Sequence, residues 1–466
     1  MKERMQKIST QSDSFPQRVR KESNDNVGVQ TFMGITENNL VEVHFVKENL
    51  LERILSPSNM NLAYRQVVSN GGKGGVDSMN TEELLPYLLL HKDELISSLM
   101  NGSYLPNPVR RVEIPKVGGK KRRLGIPTVV DRLVQQSLSQ VLLPIYEAQF
   151  EDSSYGFRPK RGAHQALEKA IGYLNEDYVY CVNFDLEKFF DTVNHSKLID
   201  LLSRTIKDGR VISLIHKYLN AGVIVTGDYE ATTTGVPQGG PLSPLLSNIL
   251  LNELDKELSR RGHPYVRYAD DCLIFCKSMR SAQRIQESMT MFIEGKLHLK
   301  VNHDKTISGS IRGVKYLGYS FYRRKGEWRL ILHPTTDAKL RSHLREITSR
   351  SNGFGYSRRK EELRLYLRGW MAYYHLADMR SRLSRLDQWL RRRIRLCIWK
   401  SWKTPKTRIR NLIKCGVPSW QARRHGWNRG LWCIAGSPDL NHAMSNEKLR
   451  LAGYTCLMDC YKMYRS

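Results

Sequence analysis

Tyr265-Val266-Arg267-Tyr268-Ala269-Asp270-Asp271-Cys272-Leu273-Ile274-Phe275 reads as two short strands folded about a tight turn, with a carboxylate pair at its tip. Taken alone, such a turn is more often a solvated hairpin tip than a site. A second stretch, Tyr178 to Leu186, changes the weighting. It alternates like a strand, with Val179, Cys181 and Phe184 among its apolar members, and it ends in Asp185. Aspartates carried on rigid strands suit phosphoryl transfer from a nucleoside triphosphate. That reaction leaves little covalent work for protein groups and needs divalent ions held about 3.5–4 Å apart by convergent carboxylates. Mg²⁺ is a hard cation that prefers oxygen donors and keeps waters, so aspartates suffice and no His or Cys cluster competes.

The composition narrows the partner. The chain has 466 residues, with 74 Lys+Arg against 46 Asp+Glu, a formal charge of +28. A positive balance this large in a folded chain points to phosphates, and therefore to nucleic acid, rather than to an ordinary acidic metabolic enzyme. A length of 466 residues predicts several domains, and 40% hydrophobic residues are enough to build their cores. The densest apolar run, Leu84 to Leu90, is short and interrupted by Pro86, so a membrane-spanning protein is not expected. Eight cysteines lack zinc spacing and read as buried small hydrophobes in a reducing compartment. The first 40 or so residues are polar, contain Glu3, Asp13, Glu22 and Asp25, and lack an apolar secretion segment; they read as a flexible extension.

Around the carboxylates, the pattern becomes globular from Val41, with Leu50, Leu51, Ile54 and Leu55 at helical spacing. Gly71-Gly72-Lys73-Gly74-Gly75 has no following Lys-Ser/Thr, so a mobile turn is favoured over a phosphate loop. Val109 to Pro127 predicts a strongly basic hairpin turning at Val117-Gly118-Gly119-Lys120. Leu133 to Ile145 and Ala163 to Leu174 predict helices. From Arg341 to Gly430 there are 24 Lys+Arg against 5 Asp+Glu, a net +19, interleaved with Trp370, Tyr373, Tyr374, Trp389, Trp399 and Trp402. Leu383, Leu386, Leu390, Ile394 and Cys397 keep helical spacing, which would present Arg391, Arg392 and Arg393 outward as a phosphate-binding face.

Three blocks in order, Asn183-Phe184-Asp185-Leu186-Glu187-Lys188-Phe189-Phe190-Asp191, Gly235-Val236-Pro237-Gln238-Gly239-Gly240-Pro241-Leu242-Ser243 and Tyr268-Ala269-Asp270-Asp271, resemble the reverse transcriptase motifs of group II intron-encoded maturases. Tyr155-Gly156-Phe157-Arg158-Pro159, Leu299-Lys300-Val301-Asn302 with Lys305-Thr306, and Lys315-Tyr316-Leu317-Gly318 support the resemblance, which runs from about Leu62 to the C-terminus. It implies an α+β right-hand polymerase: fingers and palm with an antiparallel palm sheet over 41–335, a helical thumb or maturase domain over 336–405, and an RNA- and DNA-binding segment over 406–466, after the extension 1–40.

By the same resemblance, Asp185, Asp270 and Asp271 would be the catalytic, metal-binding carboxylates, with the Leu186 carbonyl assisting, and two Mg²⁺ ions would be held there. Lys116 and Arg122 would clamp the incoming triphosphate, Gln238 would line the nucleotide pocket, Phe190 would disfavour a 2′-hydroxyl, and Lys305 would support the metal site. The plainer alternative for Phe190 is ordinary core packing beside Phe189. Arg391, Arg392, Arg393, Trp399, Lys400 and Lys403 would meet nucleic acid. The implied activity is RNA-directed DNA synthesis from deoxynucleoside triphosphates on a DNA primer, together with binding of a group II intron RNA to promote its splicing, and retrohoming by target-primed reverse transcription, in the bacterial cytoplasm as a nucleoprotein. The alternatives are a splicing cofactor without polymerase activity and a free-standing defence-type reverse transcriptase. A His-Asn-His endonuclease is not expected, so primers would come from elsewhere, such as a replication fork. A monomer and a dimer are equally compatible.

Overall fold

The computed structural model describes residues 49–115, 121–428 and 430–465. The extension 1–40, the start of the globular pattern at Val41, Lys116 and the 117–120 turn lie outside these residues. Ten strands occur among those described: β1 (Val109–Pro115), β2 (Lys121–Ile126), β3 (Tyr180–Phe184), β4 (Val223–Val225), β5 (Asp228–Glu230), β6 (Tyr265–Tyr268), β7 (Asp271–Cys276), β8 (Ile307–Ser310), β9 (Tyr319–Arg324) and β10 (Glu327–Leu332).

The central sheet is antiparallel throughout, in the order β6-β7-β3-β8. Both of its faces are covered, and the side-chain period of two divides it cleanly. Val182, Phe184, Cys272, Ile274 and Cys276 belong to one core, with Ile285, Met289 and Ile293 of the helix Met279–Lys296. Cys181, Val266, Leu273 and Phe275 belong to another, with Ala166, Leu167, Ala170 and Leu174 of the helix Ala163–Asn175. This double burial makes 272–276 almost uniformly apolar and leaves alternation along 178–186 weak.

The basic hairpin β1/β2 forms as the sequence predicts, with Ile114 facing Arg122 and Arg110 facing Ile126. It continues through parallel pairing of β1 with β4 into the sheet β2-β1-β4-β5. The helix Val129–Glu147 follows at once, its first turn capped by Thr128, whose Oγ1 accepts from the Asp131 N–H at 3.1 Å.

The Gly71–Gly75 turn differs from the expected mobile one. Gly74 and Gly75 are buried, and Arg132 Nη2 donates to the Lys73 carbonyl at 2.7 Å while Arg110 Nη2 donates to that of Gly74 at 2.6 Å. A Cβ on Gly75 would lie 2.6 Å from the Thr128 nitrogen. The glycines serve close backbone approach, which composition alone does not distinguish from flexibility.

From Pro334 onward the described residues are helical. The helices Tyr356–Tyr374 and Arg380–Ser401 share a core with Leu457–Arg465, so the expected boundary near residue 405 runs through one hydrophobic cluster. Asp387 is buried and accepts from the Leu457 and Met458 N–H groups at 2.8 and 2.9 Å, capping the last helix. No helix among the described residues is long and apolar enough to cross a membrane. Cys181, Cys272, Cys276, Cys397, Cys456 and Cys460 are buried thiols, as expected, whereas Cys433 is exposed.

Candidate active site

The site begins with strand register. Phe184 of β3 pairs with Cys272 of β7, so one step further along Asp185 stands opposite Asp271, with Asp270 at the hairpin tip. Directly opposed residues in an antiparallel pair have Cα atoms about 4.5–5.5 Å apart, so the three carboxylates that the sequence places on separate stretches meet at one sheet edge. Beyond Phe184 the chain pairs on its other side. Asn302 N–H donates to the Asp185 carbonyl and Glu187 N–H to that of Lys300, both at 2.8 Å, around the bridge between Leu186 and Val301. In that pattern Leu186's own carbonyl points away from Val301, toward the Asp270–Asp271 side.

The hairpin tip is held from beneath. Ala269 adopts a left-handed backbone (φ +56°), unusual for a residue with a Cβ. Its carbonyl accepts from Arg267 Nη1 at 2.9 Å, and Arg267 is itself wholly buried in a forked ion pair with Asp255, its Nε at 2.8 and 2.9 Å from the two carboxylate oxygens. Arg267 Nη1 also reaches Asn248 Oδ1 at 3.0 Å, and Asn248 Nδ2 donates to the Gly156 carbonyl at 2.8 Å. A Cβ on Gly156 would fall 2.2 Å from the Ala269 nitrogen, so only glycine lets this segment lie against the tip. The Tyr155–Pro159 block is therefore a brace for the hairpin. Arg267, Asp255 and Asn248 escaped the sequence reading. Their available signals were an arginine inside an apolar strand, and two polar residues seven apart on the buried face of the helix Ser243–Arg260.

The electrostatics are those of crowded negative charge. Desolvation by the packed strands around it, although the residue still reaches solvent, and then the neighbouring Asp270 and Asp185 carboxylates push Asp271 up to about 6, against a smaller opposing pull from Lys315. Lys305 Nζ lies 3.0 Å from Asp185 Oδ2, a direct ion pair to one of the three carboxylates. Among the described residues the side chains do not close into a preformed three-ligand metal cluster. The donor set nevertheless fits a hard divalent cation: carboxylate oxygens, one backbone carbonyl, and three negative charges that Lys305 and Lys315 only partly balance.

The residues expected to meet the incoming nucleotide gather around a cavity and the loop that follows it in contact with the basic hairpin. Phe190, Asp191, Arg111, Arg123, Pro237 and Gln238 line one cavity. Phe190 is half-buried, edge to face with Phe189 at 5.1 Å, and its carbonyl accepts from the Val236 N–H, which ties it to the Gly235–Gly240 loop. Arg122 Nε donates to Gln238 Oε1 at 3.0 Å. Gly125 N–H donates to the Gln238 carbonyl at 2.7 Å, and a Cβ on Gly239 would meet the Gly125 carbonyl oxygen at 2.3 Å. The basic hairpin is thus clasped to the Gln238 loop. The structure brings Arg122, Gln238 and Phe190 together, while Lys116 lies outside the described residues.

The expected nucleic-acid residues divide. Trp399 is 0% exposed and packs in the thumb core, so its ring cannot stack on a base. Arg391, Arg392 and Arg393 are half-buried rather than presented outward. Arg391 Nη1 points to Cys456 Sγ at 3.9 Å, Arg392 Nη2 donates to the Trp432 carbonyl at 2.8 Å, and Arg393 Nε to Thr348 Oγ1 at 2.7 Å. Segments both earlier (Thr348) and later (Trp432, Cys456) in the chain cover the face that the periodicity left open. Lys400 and Lys403 are exposed.

Residues 114–321 match the family described as reverse transcriptase (RNA-dependent DNA polymerase), and residues 338–416 match the group II intron maturase-specific domain. Protein YkfC of Escherichia coli (strain K12) is 34% identical over 328 residues, 61% of this chain and 86% of its own length. Group II intron-encoded protein LtrA of Lactococcus lactis subsp. cremoris is 34% identical over 365 residues, 63% of this chain; the chain spans 60% of LtrA's length. A solved telomerase from Candida albicans, in complex with a telomeric RNA fragment, is 14% identical with a TM-score of 0.41, covering 62% of this chain and 60% of that one. The polymerase match spans the converging aspartates and the Gln238 loop, and the maturase match spans the helices that follow: the chain belongs to the group II intron-encoded reverse transcriptases.

Proposed function

We propose that this chain copies RNA into DNA at Asp185, Asp270 and Asp271, holding two Mg²⁺ ions through these carboxylates and the Leu186 carbonyl. The observation that carries the reading is the register that sets Asp185 opposite Asp271 with Asp270 one residue away. When bound, the ions would activate the primer 3′-hydroxyl and neutralise the triphosphate. The chain's own groups bind and orient. Arg122, steadied by Gln238, offers its remaining N–H groups to phosphate oxygens, with Lys116 as its expected partner in the same hairpin. Phe190 bounds the pocket where a ribose 2′-hydroxyl would sit, and so favours deoxynucleotides. Lys305 keeps Asp185 oriented through its ion pair.

The second half of the activity is contact with a group II intron RNA by residues 336–466, promoting its splicing and, with a DNA primer, its retrohoming. The one-signed charge of the helical region supports this reading. The bacterial cytoplasm is the proposed setting. The decisive test is primer extension on an RNA template with Mg²⁺ by Asp270→Ala, which should fall at least about 10³-fold, since charge stabilisation at the reacting centre is the largest catalytic term. Splicing assistance by the same variant should persist. Retained extension by a folded Asp270→Ala protein defeats the polymerase assignment.

A further inference from the structure

A cavity of about 530 Å³ opens in the thumb, far in sequence from the carboxylates, and is lined by Ser349, Arg350, Ser351, Arg393, Lys400 and Trp432, with no carboxylate among its lining residues. Its size falls within the range of small-ligand sites. Arg350 and Lys400 are exposed, Lys400 Nζ reaching the Arg350 carbonyl at 3.5 Å, and Arg393 is fixed in the same lining by bonds to Thr348 Oγ1 and, through Nη2, to the Thr348 and Arg345 carbonyls at 3.2 Å. Its Nη1 makes no hydrogen bond among the described residues. Burial first, and to a lesser extent the neighbouring Arg345 and Arg350 against an opposing pull from Cys397, hold the Arg393 guanidinium below its ordinary range.

Trp432 is 41% exposed, an uncommon state for so large a ring, and it is not loose. Arg392 lies 4.3 Å from its ring centroid and bonds to its carbonyl through Nε and Nη2. A Cβ on Gly436 would come 2.8 Å from the Arg392 guanidinium carbon, so glycine leaves room for that cation. The result is a braced aromatic surface beside three cations, with the Ser349 and Ser351 hydroxyls 3.2 Å apart at the rim.

We propose that this cavity takes one unpaired ribonucleotide of a bound RNA, its base stacked on Trp432, its phosphate on Arg350, Arg393 and Lys400, and its 2′-hydroxyl at Ser349 and Ser351. The proposal rests on the reading of the thumb as an RNA-contacting region. Stacking plus charge is how single-stranded nucleic acid is held without sequence readout, and the 2′-hydroxyl is what separates RNA from DNA at such a site. A strand is favoured over a free nucleotide because every lining residue except Trp432 belongs to the strongly cationic 341–430 region, whose further cations would meet flanking phosphates.

The test uses the full chain and an RNA hairpin carrying a single 2-aminopurine bulge, compared with a fully paired hairpin, the same bulge in DNA, adenosine monophosphate and inorganic phosphate. The wild type should prefer the bulged over the paired RNA by about tenfold, the size expected of one base stack. The fluorescence change on binding should vanish in Trp432→Ala and return in Trp432→Phe. Arg350→Gln and Lys400→Gln, at exposed positions that do not threaten folding, should each reduce the preference several-fold. A bulged DNA bound as tightly as the bulged RNA overturns the proposal. So does adenosine monophosphate or phosphate competing as well as the bulged RNA, or a signal that survives in Trp432→Ala. Binding of bulged and paired RNA without preference defeats the pocket alone, whereas failure of the wild type to bind either RNA defeats the RNA reading of the thumb as well.

Discussion

At the scale of single residues, the carboxylate site trades stability for charge density. Asp271 titrates near 6 in the fold, above the usual carboxylate value of about 3.9, so the folded chain holds that proton more tightly than the unfolded one. Its ionisation therefore costs nothing below pH 4 and costs progressively more as pH rises to 6, with the full cost persisting above. With divalent ions chelated, Asp271→Asn should unfold at higher denaturant than the wild type at pH 8, by about 1 kcal/mol after allowance for solvent screening, and at equal denaturant at pH 4. A variant no more stable at pH 8 would mean that neither burial nor the neighbouring carboxylates raise Asp271 in the fold. The Arg267–Asp255 pair beneath makes a separate prediction. Asp255→Ala strands a buried guanidinium and should cost about 3–5 kcal/mol in urea unfolding. Replacing both, as Arg267→Met with Asp255→Leu, should recover most of that loss. It should still leave extension at least tenfold low, because the Ala269 carbonyl has lost its donor. Full activity in the double variant would reduce Arg267 to packing.

At the scale of elements, the hairpin β6/β7 is positioned by a neighbour with no chemistry of its own. Gly156→Ala places a methyl 2.2 Å from the Ala269 nitrogen, backbone against backbone, where neither side can yield cheaply. Extension should fall about 10²-fold, the effect of an ångström of misplacement, with little change in circular dichroism. Gly172→Ala, inside the helix Ala163–Asn175 with nothing within 4 Å of the added Cβ, should instead stabilise by about 0.5–1 kcal/mol and serves as the control. An unimpaired Gly156→Ala enzyme would show that the brace is dispensable. The contrast also explains what was legible beforehand. Asp185, Asp270 and Asp271 could be read because acidic residues at the ends of apolar strands are a pattern along the chain. The roles of Gly156 and Arg267 could not, since close approach and charge burial arise only when distant segments meet. The Gly71–Gly75 turn misleads for the same reason, and the outward placement of Arg391 to Arg393 fails because periodicity identifies the face toward one core but not the segments that cover the other.

At the scale of the whole molecule, charge is distributed unequally between structure and surface. The region from Arg341 to Gly430 carries a net +19, yet part of that charge is spent inside the fold, in the bonds from Arg392 to Trp432, from Arg393 to Thr348 and from Arg395 to Met444. Only cations facing solvent can displace counterions from RNA, so formal charge overstates the electrostatic footprint. Contact with several phosphates of an intron RNA should give a log–log dependence of affinity on salt with a slope of roughly −4 to −8. Neutralising the exposed pair Lys400→Gln and Lys403→Gln should make that slope shallower by about 1.4–1.8, at 0.7–0.9 per phosphate contact. Changing Arg391, Arg392 and Arg393 to Gln together should act differently, lowering the melting temperature by several degrees while altering the slope less than the surface pair does. Filter binding across a KCl series, paired with thermal unfolding of the same preparations, measures both. A slope near zero would remove phosphate neutralisation as the source of affinity. A triple variant that melts normally but loses its salt dependence would return Arg391 and Arg392 to the RNA-binding face beside Arg393.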